Sequence, residues 1–94
     1  MLPTAQEFRG EISKRLAWAE KKGWDYLILN AGQVHRDVGG YPAPNHRMPT
    51  LCRVMMQMKT PRDEVLYRPR LGIGAGLEIK YRLPRHEEPT KNTD

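Results

Sequence analysis

The side chains with the most chemical potential in this 94-residue chain lie between His35 and Lys59, in the run H-R-D-V-G-G-Y-P-A-P-N-H-R-M-P-T-L-C-R-V-M-M-Q-M-K. His35, Asp37, Asn45 and His46, set among arginines, suggest metal-dependent hydrolysis. That chemistry needs ligands converging on one ion, usually including carboxylates, and a base that activates water. Asp37 is the only carboxylate nearby, and a proline-rich turn separates His46 from the helical pattern carrying His35 and Asp37. His35 therefore reads better as a structural or phosphate-contacting residue. Cys52 has no base at a recognisable spacing, so it reads as a small buried apolar group rather than a nucleophile. The remaining chemistry is hydrogen bonding to nucleic acid. Thr50, Arg53 and Gln57 recur at spacings of three and four, which aligns them on one helix face, and all three side chains can bond base edges or phosphates. An ordinary polar helix face carries the same residues, so the surrounding charge and element order must decide.

The charge is unevenly spread. Of the formal net +5, the excess sits in residues 35–62, where Arg36, Arg47, Arg53, Lys59 and Arg62 face only Asp37. A concentrated basic patch attracts phosphate and supplies most non-specific affinity for nucleic acid. The bland alternative is a solvated surface that only maintains solubility. At this length one domain is expected, burying roughly two-thirds of its unfolded surface, which leaves little room for a large enzyme pocket. A single cysteine excludes an internal disulfide and a cysteine-based zinc cage. No apolar run approaches the roughly 20 residues that cross a bilayer, and Met1-Leu2-Pro3-Thr4 does not resemble a secretory leader, so a soluble cytoplasmic protein is expected.

Six elements must position these residues. Thr4-Ala5-Gln6-Glu7 has the form of a capping box, and Ala5, Phe8, Ile12, Leu16 and Ala19 then make one apolar stripe, predicting a helix over about residues 5–22. Trp24 to Leu29 reads as a short strand between Gly23 and Asn30. Asn30-Ala31-Gly32-Gln33 repeats the cap pattern and opens a two-turn helix to Val38, ended by Gly39-Gly40. Tyr41-Pro42-Ala43-Pro44 forces a turn. A third helix begins near Met48, with Pro49 in its first turn and Leu51, Val54, Met55 and Met58 on its core face. After Thr60-Pro61 the period becomes that of strands. Glu64 to Arg68 is one, and Leu77, Ile79, Tyr81 and Leu83 alternate with polar residues in the other. Between them a glycine-rich tip, Gly72-Ile73-Gly74-Ala75-Gly76, completes a β-hairpin made basic by Arg68, Arg70, Lys80 and Arg82. That run is not a nucleotide loop, because a strand follows it and no Gly-Lys-Ser/Thr is present. Residues 85–94 are polar, lack periodicity and are expected to be a disordered tail.

Helix, strand, helix, turn, helix, strand, hairpin tip and strand, in that order, resemble a winged helix-turn-helix domain across about residues 4–84. The resemblance implies an α+β fold with three helices and a small antiparallel sheet bearing a β-hairpin wing. It implies that the third helix enters the major groove of DNA with the wing beside it. Thr50, Arg53 and Gln57 would then lie near base edges, and Asn45, His46 and Arg47 at the helix N-terminus, where phosphates are favoured. Arg36, Lys59, Arg68, Arg70, Lys80 and Arg82 complete the candidate contacts. The turn from Gly39 to Arg47 is longer than this family's usual three or four residues. The run quoted above and Y-R-L-P-R near the end also resemble short bacterial and phage proteins, some described as restriction-related. The expected function is double-stranded DNA binding, as a small transcription regulator or accessory subunit, without a cofactor and without enzyme activity. A homodimer or a larger protein assembly is compatible with it. The competing readings are a protein-interaction module on the same scaffold, with Trp18, Trp24, Tyr41 and Met56 as anchors, and a small histidine-dependent nuclease. A protein-binding module should ignore ionic strength far more than a DNA binder.

Overall fold

A computed structural model describes residues 2–85. The expected tail lies, from residue 86 onward, outside the described residues. These form an α+β fold of three helices and one three-stranded antiparallel sheet: α1 (Ala5–Lys21), β1 (Tyr26–Asn30), α2 (Ala31–Val38), α3 (Met48–Met58), β2 (Glu64–Tyr67) and β3 (Glu78–Arg82).

The capping box starts α1: Glu7 N–H donates to Thr4 Oγ1 at 3.1 Å, and Thr4 N–H donates to Glu7 Oε1 at 2.8 Å. Both satisfy backbone donors that a helix start leaves free. Phe8, Ile12, Leu16 and Ala19 are buried as the spacing requires. β1 begins two residues later than the sequence suggests, because Trp24 N–H donates to Ala19 O, closing α1 instead of entering the sheet. Asn30 ends β1 and caps α2, its side chain accepting from Gln33 N–H at 2.9 Å. Gly39 and Gly40, with φ of +120° and +84°, then stop α2 where other residues would be strained.

In the sheet β3 is central, with β1 and β2 on its flanks. β1 pairs from Tyr26 opposite Arg82 to Asn30 opposite Glu78. β2 pairs Glu64 with Lys80 and Val65 with Ile79, then bulges before Tyr67 meets Glu78. Ile79 and Tyr81 point inward against the helices, and Leu51, Val54 and Met55 of α3 join them with Phe8, Ile12 and Val34 in one core. Tyr81 is wholly buried and donates its hydroxyl proton to Met55 O at 2.8 Å. Burial, with the nearby Asp63 charge adding to it, raises the phenol far above its usual range.

The glycine-rich segment, expected as a flexible tip, is tied down on its return toward β3. Gly32 N–H donates to Ala75 O and Ala31 N–H to Leu77 O, each at 2.9 Å. Gly74 and Cys52 approach to 3.5 Å, so the hairpin leans on α3 as well as α2. A Cβ at Gly32 would sit 3.0 Å from Ala75 Cβ, so glycine is what lets the two backbones meet. The free end of the hairpin is the turn Pro69 to Gly72, where Gly72 N–H donates to Pro69 O at 2.8 Å.

Asp63, between α3 and β2, gathers the other end of the molecule. Its Oδ2 accepts from Thr60 N–H (2.7 Å) and its Oδ1 from Arg82 N–H (2.7 Å) and Arg85 Nη1 (2.8 Å). Arg85 also donates to Met58 O and Arg82 O, and its own N–H donates to Glu20. Arg85, assigned from sequence to the tail, is therefore bonded into the body of the fold.

Candidate nucleic-acid interface

The α2–α3 connection is longer than a simple helix-turn-helix, and His35 organises it. His35 is wholly buried. Its Nε2 accepts from Arg47 N–H at 2.9 Å, so that nitrogen carries the lone pair, and Nδ1–H donates to Gly39 O at 3.0 Å. One imidazole thus joins the C-terminal end of α2 to the residue preceding α3. Phe8 and Tyr41 pack against it with ring centroids 5.0 and 5.3 Å away. His46 stacks edge-on to Tyr41 at 5.4 Å and accepts from Met48 N–H through Nδ1 at 3.1 Å. It thereby serves as a cap for α3, whose Arg47 offers no side-chain cap. One amide at that helix start is consequently not available to a phosphate.

The same bonds take apart the hydrolytic arrangement. Both ring nitrogens of His35 are bound to backbone, and Asp37 faces elsewhere, accepting from Arg15 Nη2 (2.9 Å) and Gln33 Nε2 (2.8 Å). The Arg15 hydrogen bond, then that of Gln33, holds the Asp37 carboxyl below the usual range, and Arg15 does the same to Glu11. Among the described residues no three His, Cys, Asp or Glu side chains converge on a common point suited to a metal. Cys52 is buried, and burial raises its thiol above the usual range.

α3 offers solvent only a narrow stripe. Leu51, Cys52, Val54 and Met55 are buried, Met56 and Met58 half-buried, and the open positions are Pro49, Arg53 and Gln57, four residues apart, with Thr50 half-buried beside them. Arg53 stands at the centre of that stripe and makes no hydrogen bond or ion pair among the described residues. Gln57 is held by α1, its Oε1 accepting from Arg9 Nη2 at 2.8 Å. This brings Arg9 to the border of the α3 face, a residue that no local pattern singles out because its partner lies 48 residues away. Arg47 and Asn45 are exposed just before α3. Arg36 is exposed on α2 and stands over the Tyr41 ring at 5.5 Å. Arg36, Asn45, Arg47, Thr50, Arg53 and Gln57 thus occupy α2, α3 and the loop that joins them, with His46 beneath as a support.

The other candidates divide. Arg68 and Arg70 are exposed at the end of β2 and in the hairpin turn, and the returning arm of this hairpin touches α3 at Cys52. Lys59 is half-buried at the end of α3, with Nζ on Thr60 O at 3.3 Å. Lys80 and Arg82 alternate with the buried Ile79 and Tyr81, so they lie on the outer face of the sheet, away from the helices; Lys80 Nζ sits 4.4 Å from the Tyr26 ring. One α3 surface cannot bring these two together with Arg53. Comparison with known protein families, with curated proteins and with solved structures gives no match to this chain.

Proposed function

We propose that the chain binds double-stranded DNA as a winged-helix protein of bacterial or phage type, acting as a small regulator or accessory subunit. In this reading the open stripe of α3 meets the major groove and the β2–β3 hairpin serves as the wing. Arg53 reads a base or tracks the groove, with Thr50 and Gln57 beside it. Arg36, Arg47 and Arg70 hold phosphates, and Arg9 both orients Gln57 and adds charge. The observation that carries the reading is Arg53: an exposed guanidinium, centred on the only open stripe of α3, with no partner among the described residues. An unpaired arginine with five donors is suited to bidentate bonding to guanine or phosphate. The element order, the β1-β3-β2 sheet and the contact of the hairpin with α3 add support.

The division of the basic residues makes a specific expectation. With a selected duplex, Arg53→Ala should weaken binding by roughly 1 to 3 kcal/mol and relax the preference at one position, as loss of a bidentate base contact does. Arg70→Ala should weaken all duplexes alike. Arg82→Ala, on the far side of the sheet, should leave affinity unchanged. Competition titrations with selected and scrambled duplexes measure all three. Equal loss on every sequence would reduce Arg53 to a phosphate contact, and no loss would remove α3 from the interface.

A further inference from the structure

The sheet has two edges of opposite character. Along β2 the register is broken by a bulge, and the strand begins with charged Glu64 and leads into Arg68; irregularity and charge of this kind discourage pairing. β1 has neither protection. Its sequence, Tyr-Leu-Ile-Leu-Asn, is uncharged, and it pairs with β3 without interruption. Leu83 N–H donates to Asp25 O at 2.8 Å and Ala31 N–H to Leu77 O at 2.9 Å, which fixes residues 25, 27, 29 and 31 as those whose backbone faces β3. Antiparallel alternation then turns the N–H and C=O of Tyr26 and Ile28 toward the open edge. Their side chains are 44% and 43% exposed, beside Trp24 and Trp18, which meet edge to face at 5.0 Å and are 46% and 51% exposed. A groove of about 450 Å³ follows this edge, lined by the consecutive residues from Gly23 to Ile28.

We propose that two copies of the chain pair antiparallel through β1, with Tyr26 of one opposite Ile28 of the other and the two-fold axis at Leu27. The free backbone groups select both the partner and the register. Placing Ile28 opposite itself would call on the carbonyl of Asn30, which as the cap residue of α2 already accepts the first helical bond. Placing Tyr26 opposite itself would call on Trp24 N–H, which is already donated to Ala19 O at 3.1 Å. Tyr26 opposite Ile28 uses only backbone groups that make no bond among the described residues, and it closes two reciprocal pairs of N–H···O bonds. Each exposed tyrosine then faces an exposed isoleucine across the strands, a favourable aromatic–aliphatic pair. Lys80 and Arg82 lie on β3, one strand away from the axis on each side, so no like charges meet across it. The two sheets become one, with both helical layers on the same side, because an axis relating antiparallel strands stands perpendicular to the sheet. The pairing does not depend on whether the chain binds DNA.

Analytical ultracentrifugation of the full chain at rising concentration should show the mass double. Ile28→Lys, which adds a charge at an already exposed position, should return it to a monomer with unchanged circular dichroism. In the Leu27→Cys variant the two introduced thiols face each other across the axis, in a non-hydrogen-bonded pair whose Cα atoms lie about 4.5 Å apart, within disulfide range. Mild oxidation should cross-link this variant into a covalent dimer, and should leave Leu66→Cys, on the other edge, uncrosslinked. A chain that stays monomeric at every concentration overturns the proposal and leaves the edge to a strand from another protein. A dimer that survives Ile28→Lys, or that fails to cross-link at position 27, overturns it equally.

Discussion

Replacing Asp63 by alanine is expected to destabilise the fold by roughly 3 to 5 kcal/mol, the usual cost of removing one partner from a buried ion pair. The Asp63 side chain is fully buried and that of Arg85 nearly so. Without the carboxylate, Arg85 keeps a charge with no counterion, and the N–H groups of Thr60 and Arg82 lose their acceptor. The junctions of α3 with β2 and of β3 with the chain beyond it would loosen together. Burial alone would raise the Asp63 carboxyl, but the hydrogen bonds from Arg85 and from the Arg82 and Thr60 amides outweigh it and hold the group below the usual carboxylate range. Its stabilising contribution is therefore complete above that range, begins to fall within it, and is fully lost only when the pH drops below the lowered folded value. Urea unfolding at about pH 7 and about pH 3, on either side of an ordinary aspartate, should show a large gap between wild type and Asp63→Ala that narrows in acid. A gap of the same size at both values would mean that lost packing, rather than lost charge, explains the variant.

His35→Ala is the second large effect, at roughly 3 to 5 kcal/mol. The substitution leaves a cavity beside Phe8 and Tyr41 and strips Arg47 N–H and Gly39 O of their partners, two terms that each cost on the order of 1 to 3 kcal/mol. Because the imidazole fixes the spacing of α2 and α3, the loss should fall on that connection. Hydrogen exchange is expected to accelerate most at Arg47 and Met48 while the β1–β3 ladder keeps its protection. His35→Gln, of similar length but without the ring, should restore only part of the stability. An alanine variant as stable as wild type would show that the long connection is held by other contacts.

These two residues mark where the sequence stops being legible. Elements governed by local chemistry could be read: the Thr4–Glu7 box, the Asn30 cap, the glycines after Val38, and the change from helical to strand period after Thr60 all act within a few residues. The stripe of Thr50, Arg53 and Gln57 followed from helical spacing alone. Asp63 was invisible because two of its three hydrogen-bonding residues, Arg82 and Arg85, lie far along the chain, and a single aspartate after a proline looks like an ordinary turn. Arg85 was lost in a polar tail because nothing local distinguishes it from its neighbours. For the candidate site, period-two alternation already put Lys80 and Arg82 on the solvent face of their strand. Which way that face points relative to α3 depends on how the sheet packs on the helices, and pattern does not encode that. Gln57 likewise appeared free until α1 brought Arg9 to it.

Whether the α2–α3 face binds duplex DNA is read from fluorescence anisotropy of a labelled duplex at two salt concentrations. Three phosphate contacts, one each from Arg36, Arg47 and Arg70, predict that affinity falls about fortyfold between about 50 and 200 mM salt. Binding that is absent at the lower salt, or unchanged between the two, would contradict duplex binding by this face.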